Sequence, residues 1–148
     1  MEVESVAMQN PHRSFSYTSL PVTVHFGVGA MSRLNDVLEA LQVQRALLLS
    51  TPRRSESLEV LAADLGSSLA GRFARAAMHT PVDISEQAVA EVRAVDADVV
   101  VALGGGSTIG LAKAIALRTG LPQVVIPTTY AGSEVTPILG QTEAGIKT

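Results

Sequence analysis

The stretch from Val99 to Leu117 constrains the fold of this chain more than any other. Val99-Val100-Val101-Ala102-Leu103 runs directly into Gly104-Gly105-Gly106-Ser107-Thr108, and an amphipathic segment closing with Ala112-Lys113-Ala114-Ile115-Ala116-Leu117 follows. A short continuous apolar run rich in β-branched residues suits a strand buried on both faces, and such strands belong to parallel sheets covered by helices. Three glycines in succession let the backbone turn and approach a ligand without Cβ collisions. The helix that begins after them offers unpaired N–H groups and a partial positive charge. Strand, glycine turn and helix in this order read as a phosphate corner. The plainer reading is that the glycines only permit tight strand-to-helix packing, and Ser107 and Thr108 can cap the helix as well as donate to phosphate.

The same rhythm extends along the chain. Val22-Thr23-Val24-His25-Phe26 alternates like a strand, ends at Gly27-Val28-Gly29, and gives way to Leu34, Val37, Leu38 and Leu41 at helical spacing. Arg45 to Ser50 is an apolar run, after which Thr51-Pro52-Arg53-Arg54 turns the chain into a helix with Leu58, Leu61, Leu65 and Leu69 on one stripe. Arg72 to Met78 is expected as a further strand, although its alanines pack poorly on a pleated surface. Asp83-Ile84-Ser85-Glu86 has the form of a helix start, with Val89, Val92 and Val95 along that helix. The helix from Thr108 ends near Gly120, and Gln123 to Ile126 is a β-branched run stopped by Pro127. This alternation predicts an α/β fold, a Rossmann-like, mostly parallel sheet with helices on both faces. Ile138 to Lys147 reads as a C-terminal β-hairpin, residues 1–11 as a flexible tail, and 12–148 as one domain.

Composition removes several function classes. A net charge of -3 with 3% aromatic residues leaves neither a basic stripe nor a stacking platform, so no nucleic-acid partner is expected. Cysteine is absent, which excludes disulfides and thiolate metal sites and agrees with a reducing cytoplasm. No apolar run reaches membrane-spanning length, and Met1-Glu2-Val3-Glu4 does not resemble a secretion signal, so a cytoplasmic protein without membrane contact is expected. His12, His25 and His79 are widely separated, no metal spacing is visible, and no nucleophile is paired with a base.

Two loops compete for roles beside the glycine turn. Gly27-Val28-Gly29-Ala30-Met31-Ser32 narrowly misses the dinucleotide fingerprint, and no acid closes the second apolar run, where Ser50-Thr51-Pro52-Arg53-Arg54 stands instead. Arg53 and Arg54 are either solvated loop charges or partners of an adenosine ribose or its 2′-phosphate. Pro127 to Thr136 leaves a buried strand at the same sheet edge as the glycine turn. Its hydroxyls, Tyr130 and Glu134 suit the lining of a pocket, but would also suit an ordinary connecting loop.

The ordered set Phe26-Gly27-Val28-Gly29, Gly104-Gly105-Gly106-Ser107 with Lys113, Pro127-Thr128-Thr129, and Gly132-Ser133-Glu134-Val135-Thr136 resembles the iron-containing alcohol dehydrogenase superfamily. Phe15-Ser16-Tyr17 ahead of Leu20-Pro21, Ser107-Thr108-Ile109-Gly110-Leu111, and Thr129 to Glu134 resemble its maleylacetate reductase branch, over nearly the whole chain from Ser14. The broad superfamily has Asp where Gly110 stands, one more residue in the loop before Gly132, and Asp where Thr51 stands. The resemblance implies a domain that holds NADH or NADPH, with the choice between them open. Carried over, Gly105, Gly106 and Ser107 seat the pyrophosphate, Thr51 and Arg53 border the adenosine ribose, Thr128 and Thr129 fix the nicotinamide side, and Lys147 lies near a cofactor ribose. Tyr130 and Ser133 are candidate contacts for a small dicarboxylate substrate.

It also implies an intact enzyme that reduces 2-maleylacetate to 3-oxoadipate, forms a homodimer, and has a helical second domain carrying metal ligands or a histidine-rich equivalent. This chain would then be an N-terminal fragment that binds cofactor without turnover, with no catalytic or metal residue of its own. A fragment of a metal-dependent alcohol or polyol dehydrogenase and a stand-alone nucleotide-binding module are the alternatives.

Overall fold

The computed structural model describes residues 21–53 and 55–147. Its centre is a four-stranded parallel sheet in the order β2-β1-β3-β4, with β1 at Ala46–Leu49, β2 at Leu69–Phe73, β3 at Val99–Gly104 and β4 at Gln123–Pro127. Four helices accompany it: α1 (Leu34–Ala40), α2 (Glu56–Leu65), α3 (Val82–Ala94) and α4 (Gly106–Thr119). From β1 the chain steps outward to β2, then crosses back over β1 to β3 and continues to β4. Because such crossovers are right-handed, reversing the direction of travel moves the connecting helix to the other face of the sheet.

The core shows this division. Ala46, Leu48, Val99, Val101 and Leu103 pack with Leu34 and Leu38 of α1 and with Leu58, Leu61 and Leu65 of α2. The alternate residues Leu47, Leu49, Val100 and Ala102 pack with Val89 and Val92 of α3 and with Leu111 and Ile115 of α4. Strand periodicity thus sends neighbouring residues to opposite layers, which is why β1 and most of β3 are apolar without a break. The lower ends of these strands are tied by Asp98, whose carboxylate accepts the backbone N–H groups of Gln44 (2.9 Å) and Arg45 (2.8 Å). Arg45 in turn donates through its guanidinium to the carbonyls of Val95 and Asp96.

Three expectations need correction. Val22–Phe26 forms no strand: it has no ladder partner among the described residues, and Val22, Val24 and Phe26 are 57, 66 and 91% exposed. Alternation supplies a face to bury, but a strand also needs a neighbour to take its backbone hydrogen bonds. The strand expected at Arg72–Met78 lies earlier, because α2 ends at Gly66 (φ 50°) and a single 3-10 turn over Gly66–Ser68 delivers the chain to the sheet at Leu69. Leu69 therefore belongs to β2 and not to the α2 stripe. The C-terminal hairpin is present but shorter, with β5 at Thr142–Glu143 and β6 at Ile146–Lys147, while Ile138–Gly140 is irregular. Its turn residues Ala144 and Gly145 both have positive φ, as a two-residue hairpin loop requires. The expected tail, His12, the Phe15–Tyr17 segment and Arg54 lie outside the described residues.

Candidate functional site

In a doubly wound sheet, a crevice opens beyond the carboxyl ends of the two strands where the direction of travel reverses. Here those strands are β1 and β3. Their register pairs Leu49 with Ala102, so the Ser50-Thr51 exit from β1 runs beside the end of β3 and the glycine turn. Thr51 is half-buried at this lip and Arg53 is exposed beyond it.

The turn itself is tightly determined. Gly104 has φ 155°, a conformation that side chains rarely adopt, and a Cβ there would collide with the Thr108 side chain. Gly105 caps α4 with no side-chain hydrogen bond, and a Cβ on it would stand 3.0 Å from Thr129 Oγ1. A Cβ on Gly106 would meet nothing within 4 Å, so this residue faces open space at the start of the helix. The first-turn N–H groups of a helix have no partner within it, so this opening is suited to an anion. Thr108 is fully buried, and its Oγ1 has no hydrogen-bond partner.

The loop after β4 closes one side of this opening. Thr128 donates its backbone N–H to the Gly104 carbonyl at 3.0 Å, and Thr129 packs on Gly105. Beyond them Gly132 (φ 80°) starts a 3-10 turn at Ser133–Val135, over the middle of α4. There the Lys113 ammonium donates to Ser133 Oγ (3.2 Å), Thr136 Oγ1 (3.4 Å) and the Ile138 carbonyl (2.9 Å). Burial holds this ammonium below its ordinary value of 10.5, and the charge of Glu134 offsets part of the shift. Glu134 Oε2 is buried without a hydrogen-bond partner.

Gly105, Gly106, Ser107, Thr128 and Thr129 are thus brought together, with Thr51 on the neighbouring strand end. Ser133 is bound to Lys113, one helical face further along, and the Tyr130 side chain is 98% exposed. Lys147 lies on β6, whose hairpin is held where Thr142 donates its N–H to the Thr80 carbonyl (3.4 Å). One residue that sequence reasoning missed, Thr80, stands out beside Glu134, which was read there only as part of a pocket lining. Thr80 is buried against Gly110 so closely that a Cβ there would collide with its hydroxyl, and Glu134 carries the orphaned oxygen. The available signal for Thr80 was Gly110 itself, a glycine inside a helix where alanine would ordinarily be favoured, which marks a close approach without naming the neighbour.

A separate hollow of about 340 Å³ lies between the carboxyl ends of α3 and α4, lined by Arg93, Asp96, Arg118 and Leu121 among others. It is at the opposite edge of the sheet, where helix carbonyls disfavour an anion. Among the described residues, no group of three or more His, Asp or Glu comes together to hold a metal, and no helix is long and apolar enough to cross a membrane.

The fold is a doubly wound α/β domain whose glycine turn stands at the switch point of a parallel sheet. The sequence model for iron-containing alcohol dehydrogenases matches residues 21–148, and the chain belongs to this family. It is 58% identical over 134 residues to the maleylacetate reductase of Rhizobium sp. (strain MTP-10005), a match covering 90% of this chain and 38% of that protein. The maleylacetate reductase of Sphingobium indicum is 54% identical over the same share of each chain. The crystal structure of maleylacetate reductase from Agrobacterium tumefaciens superposes with a TM-score of 0.86 at 54% identity, over 92% of this chain and 39% of that one. Sulfoacetaldehyde reductase from Bifidobacterium kashiwanohense in complex with NAD+ superposes with a TM-score of 0.76 at 26% identity, over 90% of this chain and 42% of that one. The chain spans about 38% of the length of the curated relatives it matches.

Proposed function

We propose that residues 12–148 are the cofactor-holding domain of a maleylacetate reductase, an enzyme that uses NADH or NADPH to reduce the carbon–carbon double bond of 2-maleylacetate to 3-oxoadipate. The observation that carries this reading is the glycine turn at the switch point, where Gly106 faces open space and the buried Thr108 hydroxyl has no partner. The names and identities of the relatives support it independently. So does Gly110: the Asp of the broader superfamily would have to displace Thr80, which favours the reductase branch over a metal-dependent alcohol or polyol dehydrogenase.

When bound, the nicotinamide supplies a hydride for the substrate's double bond, and a proton completes the reduction. The chain's own task is to hold the cofactor and orient it. Backbone N–H groups of Gly105, Gly106 and Ser107 receive the pyrophosphate with the help of the α4 dipole. Thr51 and Arg53 border the adenosine ribose, and the Arg53 guanidinium suits a 2′-phosphate, so NADPH stands beside NADH as a candidate. Thr128 and Thr129 limit movement on the nicotinamide side, Lys147 serves a ribose hydroxyl, and Tyr130 and Ser133 border the dicarboxylate substrate. The groups that polarise the substrate carbonyl belong outside this chain, in a protein that is cytoplasmic and dimeric when whole.

Calorimetric titration of the chain with NADH and with NADPH tests this reading. Saturable binding of at least one is expected, without steady reduction of maleylacetate by this chain alone. Binding of another phosphorylated compound and of neither dinucleotide would favour a different nucleotide-binding module. Steady turnover would show that the catalytic groups are already present here.

A further inference from the structure

From Thr128 to Gln141 the chain runs through 14 residues of loop, one 3-10 turn among them, before it reaches the hairpin. Its internal hydrogen bonds are long, with Val135 N–H to the Gly132 carbonyl at 3.3 Å and Thr136 N–H to the Ser133 carbonyl at 3.5 Å. Bonds of that length restrain a loop weakly. The two ends are fixed, by Thr128 on Gly104 and by Thr142 on Thr80. Among the described residues, the hydrogen bonds that join the middle, Ser133–Ile138, to the helical layer all come from Lys113.

We propose that Lys113 is a positioning residue for cofactor binding: its ammonium clamps Ser133, Thr136 and Ile138 to α4, and so keeps Thr128 and Thr129 against the glycine turn. An ammonium has three N–H donors, and each has an acceptor here. The acceptors come from three residues of the loop, so one side chain fixes its position and its curvature together. Lys113 stands two turns along the helix whose first residue is Gly106, and a single rigid element therefore carries both the cradle and the clamp. Glu134, inside the clamped segment, keeps a buried carboxylate oxygen without a partner next to the ammonium. Lys113 touches no reacting atom in this scheme and acts through the loop.

This inference rests on the cofactor reading above. Its test uses the whole chain with Lys113→Met, Lys113→Arg, Ser133→Ala/Thr136→Val, and the combination of the first with the last. Amide hydrogen exchange at Val135 and Thr136 reports the loop with no cofactor present, and titration with NADH and NADPH reports binding. Lys113→Met is expected to speed exchange at both amides and to weaken dinucleotide binding about tenfold, the scale of losing hydrogen bonds from a charged group. Lys113→Arg should recover part of both losses. The combined variant should bind no more weakly than Lys113→Met, since both changes undo one clamp.

Dinucleotide binding at the unaltered strength in Lys113→Met overturns the proposal, as do additive losses in the combined variant. Should Lys113→Met fail to fold by circular dichroism, Ser133→Ala/Thr136→Val decides: unaltered exchange and binding there overturn the clamp. If the unaltered chain binds neither dinucleotide, the cofactor reading falls and takes this assignment with it. If it binds and only the Lys113 variants are neutral, the cofactor reading stands and the clamp alone fails.

Discussion

The Thr80 hydroxyl occupies the space that a β-carbon on Gly110 would need. Thr80 is 5% exposed, holds a positive φ of 44°, and accepts the Thr142 N–H through its carbonyl, so one turn residue joins α4 to the hairpin. An alanine inside a helix ordinarily gains about 1 kcal/mol over glycine. Here the collision reverses the sign. Gly110→Ala is expected to destabilise the chain by roughly 1–3 kcal/mol, the usual range for overpacking a filled site. Thr80→Gly in the same background should recover most of the loss, because it clears the space and tolerates the positive φ. Thermal melts of the single and double variants check this, and a higher melting temperature for Gly110→Ala would show that Thr80 moves aside freely.

The buried Thr108 hydroxyl gives an opposed pair of effects. With no partner for Oγ1, the site bears the cost of a desolvated polar group, and Thr108→Val keeps the shape while removing that group. The variant is expected to gain about 1 kcal/mol of stability in the absence of ligand. Its dinucleotide affinity should fall if the hydroxyl serves the pyrophosphate. Urea unfolding and titration on one preparation separate the two effects. A Thr108→Val chain that is less stable would mean the hydroxyl is already satisfied.

The fold was legible where the sequence signal was local and two-sided. The apolar runs at Ala46–Leu49 and Val99–Leu103 could only be central strands, and the structure buries every one of those residues. The glycine turn was legible because its requirement is a backbone one, and Gly104 shows it. Val22–Phe26 misled because a partner strand is a property of the whole sheet, which alternation cannot report. Leu69 misled because the helical stripe continues past the point where Gly66 ends α2. The loop at Thr128 and Thr129 was legible as leaving the sheet at the edge of the glycine turn, whereas the seat of Thr80 on Gly110 joins residues 30 apart in sequence, and the helical glycine gives no hint of which residue fills its space.

Asp98 offers a test of how the strand register is held. Its carboxylate takes backbone N–H groups from both Gln44 and Arg45 at the entry to β1, and it stands directly before β3. Asp98→Ala leaves those donors to solvent and is expected to cost roughly 1–2 kcal/mol, within the range for losing hydrogen bonds to a charged acceptor. Asp98→Asn keeps one acceptor oxygen and should lose less. The urea midpoint, at unchanged slope, is the measurement, and equal stability of Asp98→Ala and the unaltered chain would remove the strand-entry clasp from this account.

The Lys113 ammonium makes a pH-dependent contribution whose sign differs from that of an ordinary surface ion pair. Burial lowers its folded value below the 10.5 of a free lysine, and Glu134 is the charged group that opposes the shift. At pH values between the folded and unfolded values, the unfolded chain therefore binds more protons at this position than the folded one, and stability rises with pH. Well below that window both forms are protonated and the burial cost is present in full. Well above 10.5 neither form is protonated and the cost is gone. The unfolding free energy of the unaltered chain minus that of Lys113→Met should thus grow as pH climbs from neutral towards about 10, while all other titrations cancel in the difference. Arginine does not titrate in this range, so Lys113→Arg should give a difference from Lys113→Met that stays flat. Glu134→Gln removes the opposing charge and should make the rise begin at lower pH. Urea unfolding across the alkaline range measures all of these differences, and a flat or falling curve for the unaltered chain would mean that Glu134, and not burial, governs the lysine.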